Sequence, residues 1–235
     1  MSAPLEQRTP HRAGWGLRWQ PAEYPHPFPA QLGRAVTRML LRHWVGATHH
    51  GREHIPRRGA AILVCNHPTM GDPFTVAFGT KRWVSWLAWD EAFAWPGAGY
   101  LMQLYRSIPL NLERPKPSSI KAAYGTLARG RILGVFIEGE RSEGYLLNPT
   151  LKPGAARMAL RMRVPLVPVS ISGARRSWPL EQPLPSRGRV VVRYHPPIDP
   201  TRFRPDLPHH ARGAALTAEL ARIIAAPLPA DGRPY

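Results

Sequence analysis

Apolar residues first recur at helical spacing over Gln31–Val45. Leu32, Val36, Met39, Leu40 and Trp44 fall on one face, and Arg34, Arg38 and Arg42 follow another at steps of four. The pattern predicts a basic amphipathic helix, suited to packing on a domain or to lying on an anionic bilayer. Downstream the pattern changes. Gly59–Asn66 (GAAILVCN) is a short unbroken apolar run, the mark of a strand buried on both faces. Runs at Trp83–Leu87, Ser107–Leu112, Arg131–Ile137, Val164–Ile171 and Arg189–Tyr194 predict further strands. Helical stretches lie between them. One opens at Asp72-Pro73, with Asp72 as N-cap, and ends near Gly79; another ends near Arg106. The rest are Ser118–Arg129, capped by Ser118 or Ser119, then Gly154–Met162 and Leu216–Ala225. Strands alternating with helices predict an α/β fold, a mostly parallel central sheet flanked by helices, as a single domain over residues 31–230. Residues 1–30 are rich in Pro, Arg and Trp and carry neither period, so they are expected to form an irregular leader.

Composition narrows the function classes. Lys and Arg number 32 against 15 Asp and Glu, a net charge of +17, and only four of the cations are lysines. Such an excess points to an anionic partner: nucleic acid, an anionic membrane surface or a phosphorylated substrate. No recognition helix or RNP-type aromatic strand stands out, so a nucleic acid is not expected. The longest apolar stretches fall far short of the roughly 20 residues of a membrane-spanning helix. The N-terminus has no apolar h-region, so no signal peptide is expected. The lone Cys65 excludes an internal disulfide and any cysteine-based zinc site. The pairs His49-His50 and His209-His210 lack a matching set of ligands, so no metal is expected.

The candidate chemistry follows two strand ends. NHPTMGD trails ILVC, and EGERSEG trails GVFI. In a parallel sheet, ligands gather outside the carboxyl ends of the strands, so the two segments are expected to share a crevice. Within the first, four residues separate His67 from Asp72. A histidine just past a strand, with a carboxylate at the next helix start, can form a dyad in which the carboxylate fixes the tautomer and leaves Nε2 free as a base. Cys65 reads as a small buried thiol ending its strand rather than as a nucleophile. Trp83, Trp86, Trp89 and Trp95 form an aromatic cluster, with core packing as the default role and an acyl-chain lining as the functional one.

Taken together, Asn66-His67-x4-Asp72, FIEGERS at 136–142 and VPLVPVS at 164–170 resemble the blocks of the lysophospholipid acyltransferases, the glycerol-phosphate acyltransferase family that includes 1-acylglycerol-3-phosphate acyltransferases. Lys152-Pro153-Gly154-Ala155 and the Ile108-Pro109-Leu110 strand fall in the same order. The resemblance implies transfer of a fatty acyl group from acyl-CoA or acyl-ACP to the hydroxyl of a lysophospholipid-like acceptor. It implies His67 as general base with Asp72 behind it. Arg141 and Arg114 would be forks for an anion, Gly139 a point of close backbone approach, and Glu138 and Ser142 members of the acceptor-binding loop. Glu138 is expected to hold that loop or bind acceptor hydroxyls. The thioester is already activated, so no cofactor is expected beyond this co-substrate. An anionic membrane surface is the expected partner, and the location is cytoplasmic, peripheral to the inner face of the cell membrane. The chain departs from the family pattern at Ser107, Ile137 and Glu140, and Arg114 lies beyond the usual arginine. Glu140 adds negative charge where a phosphate is usually held. This leaves open a non-phosphate acceptor (a lyso-ornithine lipid, a glycolipid or a carotenoid glycoside). A non-enzymatic basic module binding membrane or nucleic acid is the other alternative.

Overall fold

Strand β2 (Ala61–Cys65) is buried along its whole length, as its unbroken apolar run requires of a strand covered on both faces. The computed structural model describes residues 28–228 apart from 143, 145, 180, 181 and 183, so residues 1–27 of the expected leader lie outside the described residues. The other strands are β1 (Ala47–His50), β3 (Val84–Trp89), β4 (Ile108–Leu110), β5 (Ile132–Phe136), β6 (Leu166–Ser172) and β7 (Val190–Tyr194). They form a seven-stranded sheet in the order β1-β7-β6-β2-β5-β3-β4. β6, β2, β5, β3 and β4 are mutually parallel; β7 is antiparallel to β6, and β1 is parallel to β7. The expected mostly parallel sheet is present, with β7 and the edge strand β1 running against it.

Seven helices accompany the sheet among the described residues: α1 (Phe28–His43), α2 (Asp72–Ala77), α3 (Ala98–Leu104), α4 (Pro117–Ala128), α5 (Gly154–Met162), α6 (Ala174–Ser177) and α7 (His209–Ala225). Alternate residues of β2 feed two cores. Ile62 and Val64 join Leu133, Ala159, Leu216 and Leu220, whereas Leu63 and Cys65 join Val76, Trp86, Phe136 and Tyr194. None of the described helices is long and apolar enough to cross a membrane.

Several boundaries differ from the sequence reading, each for a local reason. α1 begins at Phe28, inside the stretch expected to be irregular, because the N–H that a proline at position 29 lacks would have no partner in a first helical turn. Its apolar face does not pack on the domain: Leu32, Val36, Met39, Leu40 and Trp44 are all exposed, and Leu41 and Val45 make the core contact instead. Arg34 leaves the basic face and turns inward. It donates to the carbonyls of Thr80 (2.5 Å) and Arg82 (3.3 Å) and lies 4.7 Å from the Trp83 ring centre. α4 starts at Pro117 with Lys116 in the cap position, so neither Ser118 nor Ser119 caps it. Strand β1 (ATHH) has no apolar run to announce it; it is an edge strand, half exposed, and paired on one side only.

Candidate active site

The site arises where β2 and β5 end side by side. Cys65 and Phe136 are the last paired residues of these strands, so the segments that follow leave the sheet as neighbours. This placement unites His67 with Glu138, 71 residues on: the His67 N–H donates to Glu138 Oε1 at 2.9 Å. The Ser142 N–H returns to the His67 carbonyl at 2.9 Å. Asn66, which opens the first segment, is buried and pairs its side-chain amide with the backbone of Ile171, donating to the carbonyl (2.9 Å) and accepting from the N–H (2.8 Å). The end of β2 is thereby tied to both neighbours before His67 begins.

His67 Nδ1 lies 2.9 Å from Asp72 Oδ2. A carboxylate only accepts, so Nδ1 carries a proton, and in the tautomer this selects the acceptor lone pair is on Nε2. Asp72 is fully buried and also accepts from the Thr69 N–H (2.6 Å) and the Thr69 hydroxyl (2.8 Å). It is the first residue of α2 rather than its N-cap, and makes no cap hydrogen bond, because its oxygens turn back to His67 and Thr69. The His67 ring stacks on Phe136 (centroids 3.7 Å apart, planes at 10°), and Phe136 stacks on Trp86 (4.8 Å, 13°). A carboxylate on one edge and an aromatic face behind it leave the imidazole one orientation.

Glu138 is fully buried. Besides the His67 N–H, it accepts from the Ser142 hydroxyl and the Asn148 N–H, each at 2.8 Å. Three protein donors occupy its oxygens, so Glu138 and Ser142 clasp the loop to the His67 segment. Gly139 has a φ of +80°, and a Cβ there would stand 3.0 Å from Lys152 Cγ. Only a bare backbone turns here and leaves Lys152 beside the site. Cys65 is fully buried, and that burial, with Asp72 nearby second, pushes its thiol well above the ordinary range. It is a packed core thiol.

His67 opens onto a cavity of about 890 Å³, within the roughly 300–1,000 Å³ of small-molecule sites. Trp83, Trp86, Trp89 and Trp95 all line it, together with Phe74, Leu101, Met102 and Tyr105. The aromatic cluster is thus cavity wall as well as core. Glu138, Gly139, Arg141, Ser142 and Lys152 line the cavity beside His67, and the acids Glu113 and Glu140 belong to the same lining. Arg114 stands apart. It is exposed, its N–H rests on Asn111 Oδ1 (2.8 Å), and the cavity wall from this segment is made by Asn111, Leu112 and Glu113. Sequence reasoning missed Thr69, Asn148 and Trp178, which respectively hold Asp72, close the Glu138 clasp and line the cavity. Of these only Thr69 left a signal, a short side chain with a carboxylate three residues on.

Fold and site together define an α/β protein with a histidine–aspartate pair, its histidine lining an aromatic-walled cavity at the carboxyl ends of the parallel strands β2 and β5. The family model described as Acyltransferase matches residues 46–172, more than half of the chain, and the chain belongs to this family of acyltransferases. It is 27% identical over 180 residues to the 1-acyl-sn-glycerol-3-phosphate acyltransferase of Bacillus subtilis, covering 76% of this chain and 86% of that one. It is 31% identical over 170 residues to the protein of the same name from Streptococcus pneumoniae, covering 71% of this chain and 61% of that one. The crystal structure of the 1-acyl-sn-glycerophosphate (LPA) acyltransferase from Thermotoga maritima shares the fold, with a TM-score of 0.67 at 22% identity over 84% of this chain and 76% of that one.

Proposed function

We propose that this acyltransferase moves a fatty acyl group from acyl-CoA or acyl-ACP to the hydroxyl of a 1-acylglycerol-3-phosphate-type acceptor, with His67 as general base. The observation that carries the reading is the 2.9 Å contact of His67 Nδ1 with buried Asp72, on a ring that lines the cavity. His67 Nε2 takes the hydroxyl proton as the oxygen attacks the thioester carbonyl. The carbon–sulfur bond breaks, and the leaving thiolate recovers the proton from the imidazolium, which Asp72 has stabilised. The apolar walls suit acyl chains, and Arg141 and Lys152 offer cations to the acceptor's phosphate. Names of the relatives support this acceptor. The exposed apolar face of α1 supports peripheral attachment to a membrane surface.

His67→Ala is expected to lower kcat by roughly 10³-fold with folding intact, and Asp72→Asn by a smaller factor through the wrong tautomer. Activity of His67→Ala near that of the parent chain overturns the mechanism. A second reading, a non-phosphate acceptor, is favoured by Glu113 and Glu140 lining the same cavity. Arg141→Ala decides between the two. With a phosphate acceptor its KM rises roughly tenfold or more, as loss of a charge-assisted hydrogen bond predicts, while donor KM is unchanged. An unchanged acceptor KM favours the neutral acceptor.

A further inference from the structure

The helix that carries Asp72 is only six residues long. Helices shorter than about 12 residues do not hold themselves, and their last carbonyls lack partners within the helix. In α2 two of these carbonyls accept from side chains of β1 and β7, and that of Val76 also takes the Gly79 N–H at 3.1 Å. His49 of β1 places Nε2 2.8 Å from the Thr75 carbonyl, and Tyr194 of β7 donates its hydroxyl to the Val76 carbonyl at 2.5 Å. A carbonyl only accepts, so His49 Nε2 carries a proton. The two rings lie nearly parallel, at 15° with centroids 6.4 Å apart. Gly79, just past the helix, completes the junction: a Cβ there would overlap the Tyr194 hydroxyl and stand 2.7 Å from His49 Cδ2. Tyr194 is 1% exposed, and burial pushes its phenol far above the ordinary range, so it remains a donor throughout the working pH range.

We propose that Tyr194 and His49 are positioning residues for acyl transfer, a strut that anchors the far end of α2 to the sheet and so sets Asp72 against His67. Val76 is four residues from Asp72, about 6 Å along the helix axis, so a tilt at one end is felt at the other. Thr69 grips the carboxylate from the loop side; the strut grips its helix from the sheet side. Active geometry tolerates only about 0.5 Å of looseness, and a shift of about 1 Å can cost 10²-fold in rate. The strut also gives the antiparallel edge a task in the chemistry, and Tyr194 lies beyond the residues 46–172 of the family match. The proposal rests on the reading of His67 as the base.

The test uses the full chain with Tyr194→Phe, which keeps the ring and removes one donor, and the pair His49→Gln and His49→Leu, of which only the first keeps an N–H. Steady-state kinetics are measured alongside the downfield proton resonance of His67 Nδ1–H, assigned by its loss in His67→Gln. Tyr194→Phe and His49→Leu are expected to lower kcat about tenfold, with KM for donor and acceptor within about twofold, and to shift or broaden that resonance. His49→Gln is expected to retain most of the activity. The strut is overturned if Tyr194→Phe keeps kcat within about twofold, or if kcat falls while the resonance stays unmoved. Should Tyr194→Phe fail to fold, equal kcat and an unmoved resonance in the two His49 variants overturn it. An active His67→Ala would end the base reading alone, because the resonance still reports whether the strut sets Asp72 against His67.

Discussion

Glu138 shows how a residue that looks like chemistry is recruited to hold chemistry in place. Its carboxyl lies in the loop after β5, as expected, yet it spends its acceptor capacity on His67, Ser142 and Asn148 within the protein. Those bonds join the two segments of the site, so Glu138 acts on His67 through the backbone. Glu138→Gln keeps the shape and replaces one acceptor oxygen by a donor, which must face an N–H or O–H that is already donating. A buried donor left unpaired costs about 1–3 kcal/mol, or roughly 3–9 °C in melting temperature for a chain of this size. The expected result is that loss in a thermal melt together with a lower kcat. An unchanged melt would show that the clasp carries no stability.

At the scale of elements, α1 separates two explanations of an amphipathic pattern. Its apolar residues at helical spacing would ordinarily face the core. Here Met39 and Leu40 are 57% and 52% exposed, so the face looks outward. Replacing both by serine is expected to change stability by no more than about 0.5 kcal/mol per site and to weaken binding to phospholipid vesicles in sedimentation. A large stability loss with unchanged binding would return that face to the core. The arginines divide differently. Arg38 and Arg42 are exposed, and each is expected to contribute about 1 kcal/mol to docking on an anionic surface, so Arg38→Gln with Arg42→Gln lowers partitioning roughly 30-fold. Arg34→Gln instead releases α1 from Thr80 and Arg82, and is expected to appear as lost stability.

The whole molecule carries a net charge of +17 with its apolar cavity walled by aromatic rings. Charge of this size is expected to draw the chain to an anionic bilayer over distances that salt controls, because the Debye length falls from roughly 14 Å at 50 mM to about 4 Å at 500 mM. Binding to anionic vesicles is therefore expected to fall steeply across that range, whereas the weaker binding to zwitterionic vesicles stays nearly level. Equal binding to both vesicle types at low salt would remove charge from the account and leave the apolar face of α1 as the sole attraction.

The sequence by itself determined most of the elements and the polar motifs that follow two of the strands. A short unbroken apolar run such as ILVC, bounded by turn residues, marks a strand covered on both faces, and the histidine past it gains meaning from the aspartate at the next helix start together with the later FIEGERS and VPLVPVS blocks. Tertiary structure decided what depends on contacts distant in the chain. That β5 inserts between β2 and β3 is a matter of sheet order, and it alone brings Glu138 to His67. The placement of Arg114 outside the cavity and the inward turn of Arg34 were set by which backbone carbonyls and amides lay within reach. The strand ATHH carries no apolar signal because an edge strand pairs on one side and buries little. It nonetheless contacts the helix of Asp72 through His49, a bond between residues 26 positions apart that only the assembled sheet could create.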